Sequence, residues 1–163
     1  MFIQRPPGPR HEGTGHAMNP TAPIVIGCDH AAVTLKEIVK TYLADKAGIE
    51  VKDVGTFTTD SVDYPDYAIQ VARAVSDGTY ERGILICGTG IGMSMAANRF
   101  PRVRAALCND LFAARLSRQH NDANILVMGG RVIGDVLAVE ILKTWLETPF
   151  EGEIGRASCR ERV

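Results

Sequence analysis

No apolar run in these 163 residues approaches the ~20 needed to cross a bilayer, which excludes a membrane-spanning helix. The N-terminus has no apolar core of the kind that directs secretion. Charge of one sign is not in excess. Eighteen Lys and Arg against nineteen Asp and Glu leave a net charge of -1, so no basic field points to nucleic acid. The four cysteines, Cys28, Cys87, Cys108 and Cys159, show no CxxC spacing. In a domain of this size they read as reduced thiols, which excludes a disulfide frame or a cysteine zinc site and predicts a cytoplasmic protein. No internal repeat is visible.

What is present is an ordinary globular composition, 45% hydrophobic and 23% charged, in a length that suits one domain. Two ends stand apart. Residues 1–17, "MFIQRPPGPRHEGTGHA", are rich in Pro and Gly without periodicity, which predicts a disordered, non-native leader before Met18. His11 and His16 fall in that leader and are expected to have no role in the site, a weak metal-binding tail being the functional alternative. Residues 153–163, "EIGRASCRERV", look like the translation of a sequencing-library adapter and are expected to be a foreign tail. The functional domain is therefore expected over 18–152.

Within that domain apolar runs alternate with amphipathic ones. "APIVIGCDH" reads as a buried strand ending at Gly27, and "IEVKDVG", "RGILIC", "VRAALC" and "ANILVMG" as four more. Between them "AAVTLKEIVKTYLADKAG" carries Val33, Leu35, Ile38, Val39, Tyr42 and Leu43 at helical spacing, with Gly48 at its end. "DYAIQVARAVSDG" starts near Pro65 and closes at Gly78. "GMSMAANRF" is a short helix, "DLFAARLSRQH" has Asp110 near its positive end, and "DVLAVEILKTWLE" stops before Pro149. This alternation predicts an α/β fold, a five-stranded parallel sheet between two helical layers. In such sheets ligands sit beyond the carboxyl ends of the strands. Asp29 and His30, Cys87 with the glycines behind it, and Asn109 with Asp110 all fall there.

"ILICGTGIGMSMAANR", Ile84 to Arg99, is the most unusual stretch. Gly88, Gly90 and Gly92 give G-x-G-x-G, but Met93 stands where the dinucleotide fingerprint needs its last glycine. No Gly-Lys-Ser/Thr follows, so it is not a Walker A loop either. A glycine turn between strand and helix still exposes N–H groups to an anion. Cys87 lies against those groups, a setting that suits a base or nucleophile, although a small buried core residue is the plainer alternative. Cys28 also ends a strand but lacks the glycine loop, and Cys108 reads as packing. His120 and Asn121 in "SRQHND" stand at a helix end, where a histidine ordinarily serves as a cap. "DYPDY", Asp63 to Tyr67, fits turn chemistry before a helix. Singly, each signal is weak.

Together, "GCDHAA", "DYPDYA", "GILICGTGIGMSMAANR", "SRQHNDANIL" and "MGGRVIG" resemble, in order and over about Pro23 to Gly152, the type B ribose-5-phosphate isomerases, whose wider family takes in galactose-6-phosphate isomerase subunits and allose-6-phosphate isomerases. The resemblance implies a Rossmann-like three-layer αβα sandwich. It implies interconversion of ribose 5-phosphate and ribulose 5-phosphate through a cis-enediolate, a step of the pentose phosphate pathway. Cys87 is then the base that carries the C2 proton to C1, because this loop runs Ile91, Gly92, Met93 and lacks the glutamate that other members use. Thr89 assists, His120 opens the furanose ring, and Asp29 partners a sugar hydroxyl. Gly88, Gly90, Ile91 and Gly92 hold the enediolate, Asn121 bonds the sugar, and Tyr64 lines the pocket. Arg131 meets the phosphate with help from His30.

The resemblance further implies no metal and no cofactor, and a homodimer or dimer of dimers with its active site at the subunit interface. The family supplies two more phosphate-binding arginines from a segment after "YEG"-like residues. Here "FEG" is followed by the adapter-like tail, so that role is not carried to Arg156 or Arg160, and weakened phosphate affinity is expected. Two other readings stay open: an isomerase of allose 6-phosphate or another hexose 6-phosphate, and a phosphosugar-binding domain that no longer turns its ligand over.

Overall fold

The computed structural model describes residues 19–152; the leader before Met18 and the tail from Glu153 on lie outside the described residues. Five strands and five helices alternate: β1 (Ile24–Cys28), α1 (Val33–Asp45), β2 (Val51–Asp53), α2 (Tyr64–Ser76), β3 (Arg82–Cys87), α3 (Ile91–Ala97), β4 (Ala105–Leu107), α4 (Leu111–Gln119), β5 (Ile125–Gly129) and α5 (Asp135–Glu147). All strand pairings are parallel, in the order β2-β1-β3-β5-β4. The expected αβα sandwich is therefore the observed fold.

Side chains along a strand alternate between faces, so the sheet feeds two cores. Ile24, Ile26, Ile84, Ile86, Leu126 and Met128 pack on one face under α1, α4 and α5, where Trp145 is the largest buried side chain. Val25, Leu85, Cys87, Ile125 and Val127 pack on the other under α2 and α3. Central strands β1, β3 and β5 are buried along their whole length, which is why they read as unbroken apolar runs rather than alternating ones.

Local signals hold at the element ends with small shifts. Asp110 caps α4, its side chain accepting the Ala113 N–H at 2.7 Å. Helix α2 starts at Tyr64, so Pro65 sits in its first turn, where its missing N–H costs nothing. Helix α3 starts at Ile91, and Gly90 precedes it at φ 81°, in the left-handed region that glycine enters freely.

The connection leaving β1 runs into α1 on one face of the sheet, and that leaving β3 runs into α3 on the other. Strands β1 and β3 are neighbours, so the chain parts between them and leaves a crevice at their carboxyl ends.

Candidate active site

Three loops meet at this crevice. After β1, the Asp29 N–H donates to the Ile86 carbonyl at 3.1 Å, which holds the loop beside β3. Asp29 is largely buried, and its Oδ1 accepts the Ala31 N–H at 2.9 Å. His30 is half-buried, and its Nδ1 accepts the Val62 N–H at 3.2 Å, which places the ring's own N–H on Nε2. After β5, the Gly130 N–H donates to the Cys87 carbonyl at 2.8 Å and the Arg131 N–H to the Gly88 carbonyl at 3.0 Å. The exposed Arg131 side chain thus passes over the glycine loop, its Cδ 3.6 Å from where a Cβ on Gly88 would stand.

The third loop follows β3. Cys87 is 5% exposed, and its Sγ accepts the Gly90 N–H at 3.1 Å. The Thr89 hydroxyl accepts the Ile91 N–H at 3.3 Å. Two N–H groups of the glycine loop are therefore engaged, one buried against the sulfur and one at the exposed hydroxyl. Gly92 lies under the Tyr64 ring: a Cβ there would come within 2.6 to 2.8 Å of the ring and its hydroxyl. Tyr64 therefore stands against the loop at the start of α3. Behind the loop, Asn109 Oδ1 accepts the Gly129 N–H at 3.0 Å and holds the ends of β4 and β5 together.

The other two thiols are chemically different. Burial pushes the Cys28 thiol up to about 12 and the Cys108 thiol up to about 11. Both stay protonated near neutrality. Among the described residues no group of three or more His, Cys, Asp or Glu could hold a metal ion, and no helix is long and apolar enough to cross a membrane.

Asp29, His30, Tyr64, Cys87, Thr89, the glycines and Arg131 come together at the carboxyl edge of the sheet. His120 and Asn121 do not join them. His120 caps the far end of α4, and the Asn121 carbonyl accepts from the Arg104 side chain, just before β4 begins. That is the amino edge of the sheet. Glu151 lies there too, accepting from Gln119 Nε2 at 2.8 Å, with its carboxylate 4.0 Å from His120 Nδ1.

Three buried cations, Lys36, Arg82 and Arg118, escaped the reading of the sequence, and Lys36 is the one with no exposed surface. Lys36 Nζ, wholly buried, donates to Asp53 Oδ1 at 2.9 Å and to the Thr56 carbonyl at 2.7 Å. Helical spacing carried the signal: Lys36 stands at i relative to Val39 at i+3 and Leu43 at i+7, on the buried stripe.

A family model described as Ribose/Galactose Isomerase matches residues 24–161. Ribose-5-phosphate isomerase B of Escherichia coli is 49% identical over 129 residues, 79% of this chain and 86% of that one. D-erythrulose-4-phosphate isomerase of Pectobacterium atrosepticum is 45% identical over 130 residues, 79% of this chain and 85% of that one. The crystal structure of a ribose 5-phosphate isomerase from Thermotoga maritima superposes with a TM-score of 0.78 at 56% identity, covering 80% of this chain and 90% of the other. With the fold, the loops at the crevice and these matches in agreement, the chain belongs to the ribose/galactose isomerase family.

Proposed function

We propose that this protein is an aldose–ketose isomerase that interconverts ribose 5-phosphate and ribulose 5-phosphate, with Cys87 as the base. The observation that carries the reading is the Gly90 N–H donating to Cys87 Sγ at 3.1 Å inside a crevice that also holds Asp29, His30 and Arg131. An N–H aimed at sulfur is the partner a thiolate takes, and the crevice is where an open parallel sheet binds its ligand.

In the forward step the Cys87 thiolate takes the proton from C2 of the open-chain aldose. The C2–H electron pair forms the C1–C2 double bond, and the carbonyl pair moves onto O1. The glycine loop and the Thr89 hydroxyl meet the developing enediolate charge. The thiol then returns its proton to C1, O2 becomes the carbonyl, and its proton passes to O1. No atom is gained or lost, and no cofactor enters the balance. Arg131 and the Nε2–H of His30 hold the phosphate, Asp29 a sugar hydroxyl, and Tyr64 closes the side of the pocket.

Ring opening is assigned to His120 with Asn121 on the sugar, and both come from a second copy of the chain. Their position at the amino edge favours this, because one chain cannot bring them to its own Cys87. An apolar rim around the carboxyl edge gives the second copy something to bury: Phe57, Ile91, Met95, Phe112 and Val136 are all exposed.

The test is proton NMR of ribose 5-phosphate in deuterated buffer, with the protein and with Cys87→Ala. Deuterium entering at C2 with the unaltered chain alone supports both substrate and base. Exchange that persists in Cys87→Ala removes Cys87 from its role. The similarity to a D-erythrulose-4-phosphate isomerase favours one further reading, a four-carbon substrate. Allose 6-phosphate stands for the hexose reading. Running erythrulose 4-phosphate and allose 6-phosphate beside ribose 5-phosphate separates the three by kcat/KM.

A further inference from the structure

Lys36 is the one wholly buried lysine among the described residues, and the reaction proposed above has no use for it. A buried ammonium is costly unless every proton is matched. Here it is matched: Asp53 Oδ1 at 2.9 Å, Asp53 Oδ2 at 2.8 Å and the Thr56 carbonyl at 2.7 Å, with the Phe57 ring centred 4.3 Å away. A methionine would fill the same space in this helix face without the charge. What the ammonium adds is a grip on the segment that leaves β2.

That segment is fastened at both ends to the site. At its start, the Thr56 N–H donates to the Cys28 carbonyl at 2.9 Å and the Cys28 N–H to the Gly55 carbonyl at 2.6 Å, one residue before Asp29. The Thr56 carbonyl that holds Lys36 also accepts from Cys28 Sγ at 3.6 Å. At its end, the Val62 N–H reaches His30 Nδ1 at 3.2 Å, and Tyr64 lies over Gly92. Between these anchors Phe57 is 66% exposed, so the segment has little core of its own. Its course is set by hydrogen bonds at its two ends.

We propose that Lys36 is a positioning residue: from behind the sheet edge it fixes residues 56–62, and through the Val62 N–H it holds His30 in the orientation and tautomer that present Nε2–H to the substrate phosphate. The importance for turnover rests on the isomerase reading; the effect on His30 does not.

Lys36→Met tests it, because Asp53 keeps Lys40 at 2.7 Å and the Gly55 N–H at 2.8 Å and is not left alone. Lys36→Gln, which keeps an N–H donor without the charge, is made beside it. Nitrogen NMR of 15N-histidine protein, with His30 assigned by His30→Asn, reads the ring directly. The unaltered chain shows His30 as a single Nε2–H form, and Lys36→Met shows it averaged between tautomers. With ribose 5-phosphate, KM rises about tenfold or more in Lys36→Met while kcat stays within a few-fold, and Lys36→Gln lies between. If Lys36→Met folds and leaves the His30 signals and KM unchanged, the proposal is overturned. If both variants fail to fold, Lys36 serves the core and the proposal is equally overturned. If the unaltered chain does not turn over ribose 5-phosphate, the function is wrong, while the His30 signals still decide the role of Lys36.

Discussion

Cys87 and His120 lie at opposite edges of the same sheet. Cys87 pairs in register with Gly129 at the carboxyl end of β3 and β5, whereas His120 follows the nine residues of α4, which carry the chain back by about 13 Å toward the start of β5. A site that uses both needs two chains. Cys87→Ala and His120→Ala should each abolish C2 exchange when made alone. Mixed by co-refolding, random pairing puts one intact site in half of the dimers, so about a quarter of the activity should return. No recovery from a mixture shown to contain mixed dimers would place the two residues outside a shared site.

Gly90→Ala should remove activity before it removes the fold. At φ 81° any other residue is strained, by about 1 kcal/mol or more. Its Cβ would also run into the Leu107 side chain and stand 3.1 Å from the Met128 carbonyl. Leu107 can move, but the backbone of β5 cannot, so the loop shifts and the N–H leaves Cys87 Sγ. We expect kcat to fall about a hundredfold, with a lowering of the melting temperature of several degrees. A variant with unaltered kcat would mean that the Gly90 N–H contributes nothing at the sulfur.

Element type was legible because each strand is a short apolar run with turn residues behind it and each helix has a periodic stripe. Strand order was not: β5 inserts between β3 and β4, and nothing in "VRAALC" or "ANILVMG" records which of them lies at the edge. At the site, Cys87 and Asp29 stood out by residue type at strand ends, whereas Arg131 came only from the resemblance carried by "MGGRVIG". The edge of the sheet on which His120 falls also follows from the pattern, since a helix after a parallel strand must return antiparallel to it. Lys36 was missed because a lysine is ordinarily read as solvated, and only its Asp53 and Thr56 partners, 17 and 20 residues away, make its burial tolerable. The Gly90-to-sulfur bond depends on a left-handed turn that three glycines permit but do not dictate.

The described cysteines should separate under alkylation. Cys28 and Cys108 are wholly buried, and burial pushes their thiols up to about 12 and about 11. Only the thiolate reacts with iodoacetamide, so both should resist at pH 8. Cys87 opens onto the crevice and should be modified first, with activity lost in step and ribose 5-phosphate slowing both. Peptide mass mapping reads this directly. Modification of Cys28 or Cys108 ahead of Cys87 would contradict the assignment.

Asp53 sets a limit on stability in acid. Its Oδ2 lies 2.8 Å from Lys36 Nζ and 2.7 Å from Lys40 Nζ, and its Oδ1 accepts the Gly55 N–H at 2.8 Å. Burial by itself would raise this carboxyl; the hydrogen bonds from Lys36 and Lys40 outweigh burial and hold it below the ordinary 3.8. The folded state therefore binds this proton more weakly than the unfolded chain does. The stabilisation is complete above the unfolded value near 3.8 and drains away as pH falls through the lowered folded value. Asp53→Asn leaves Lys36 buried without its counter-charge and should cost about 3 kcal/mol at pH 7. Urea unfolding at pH 7, 4 and 3 should show the unaltered chain losing stability across that range. The gap to Asp53→Asn should be full at pH 7 and narrow below pH 4. A gap that stayed constant to pH 3 would mean that the carboxylate charge is not what Lys36 and Lys40 are holding.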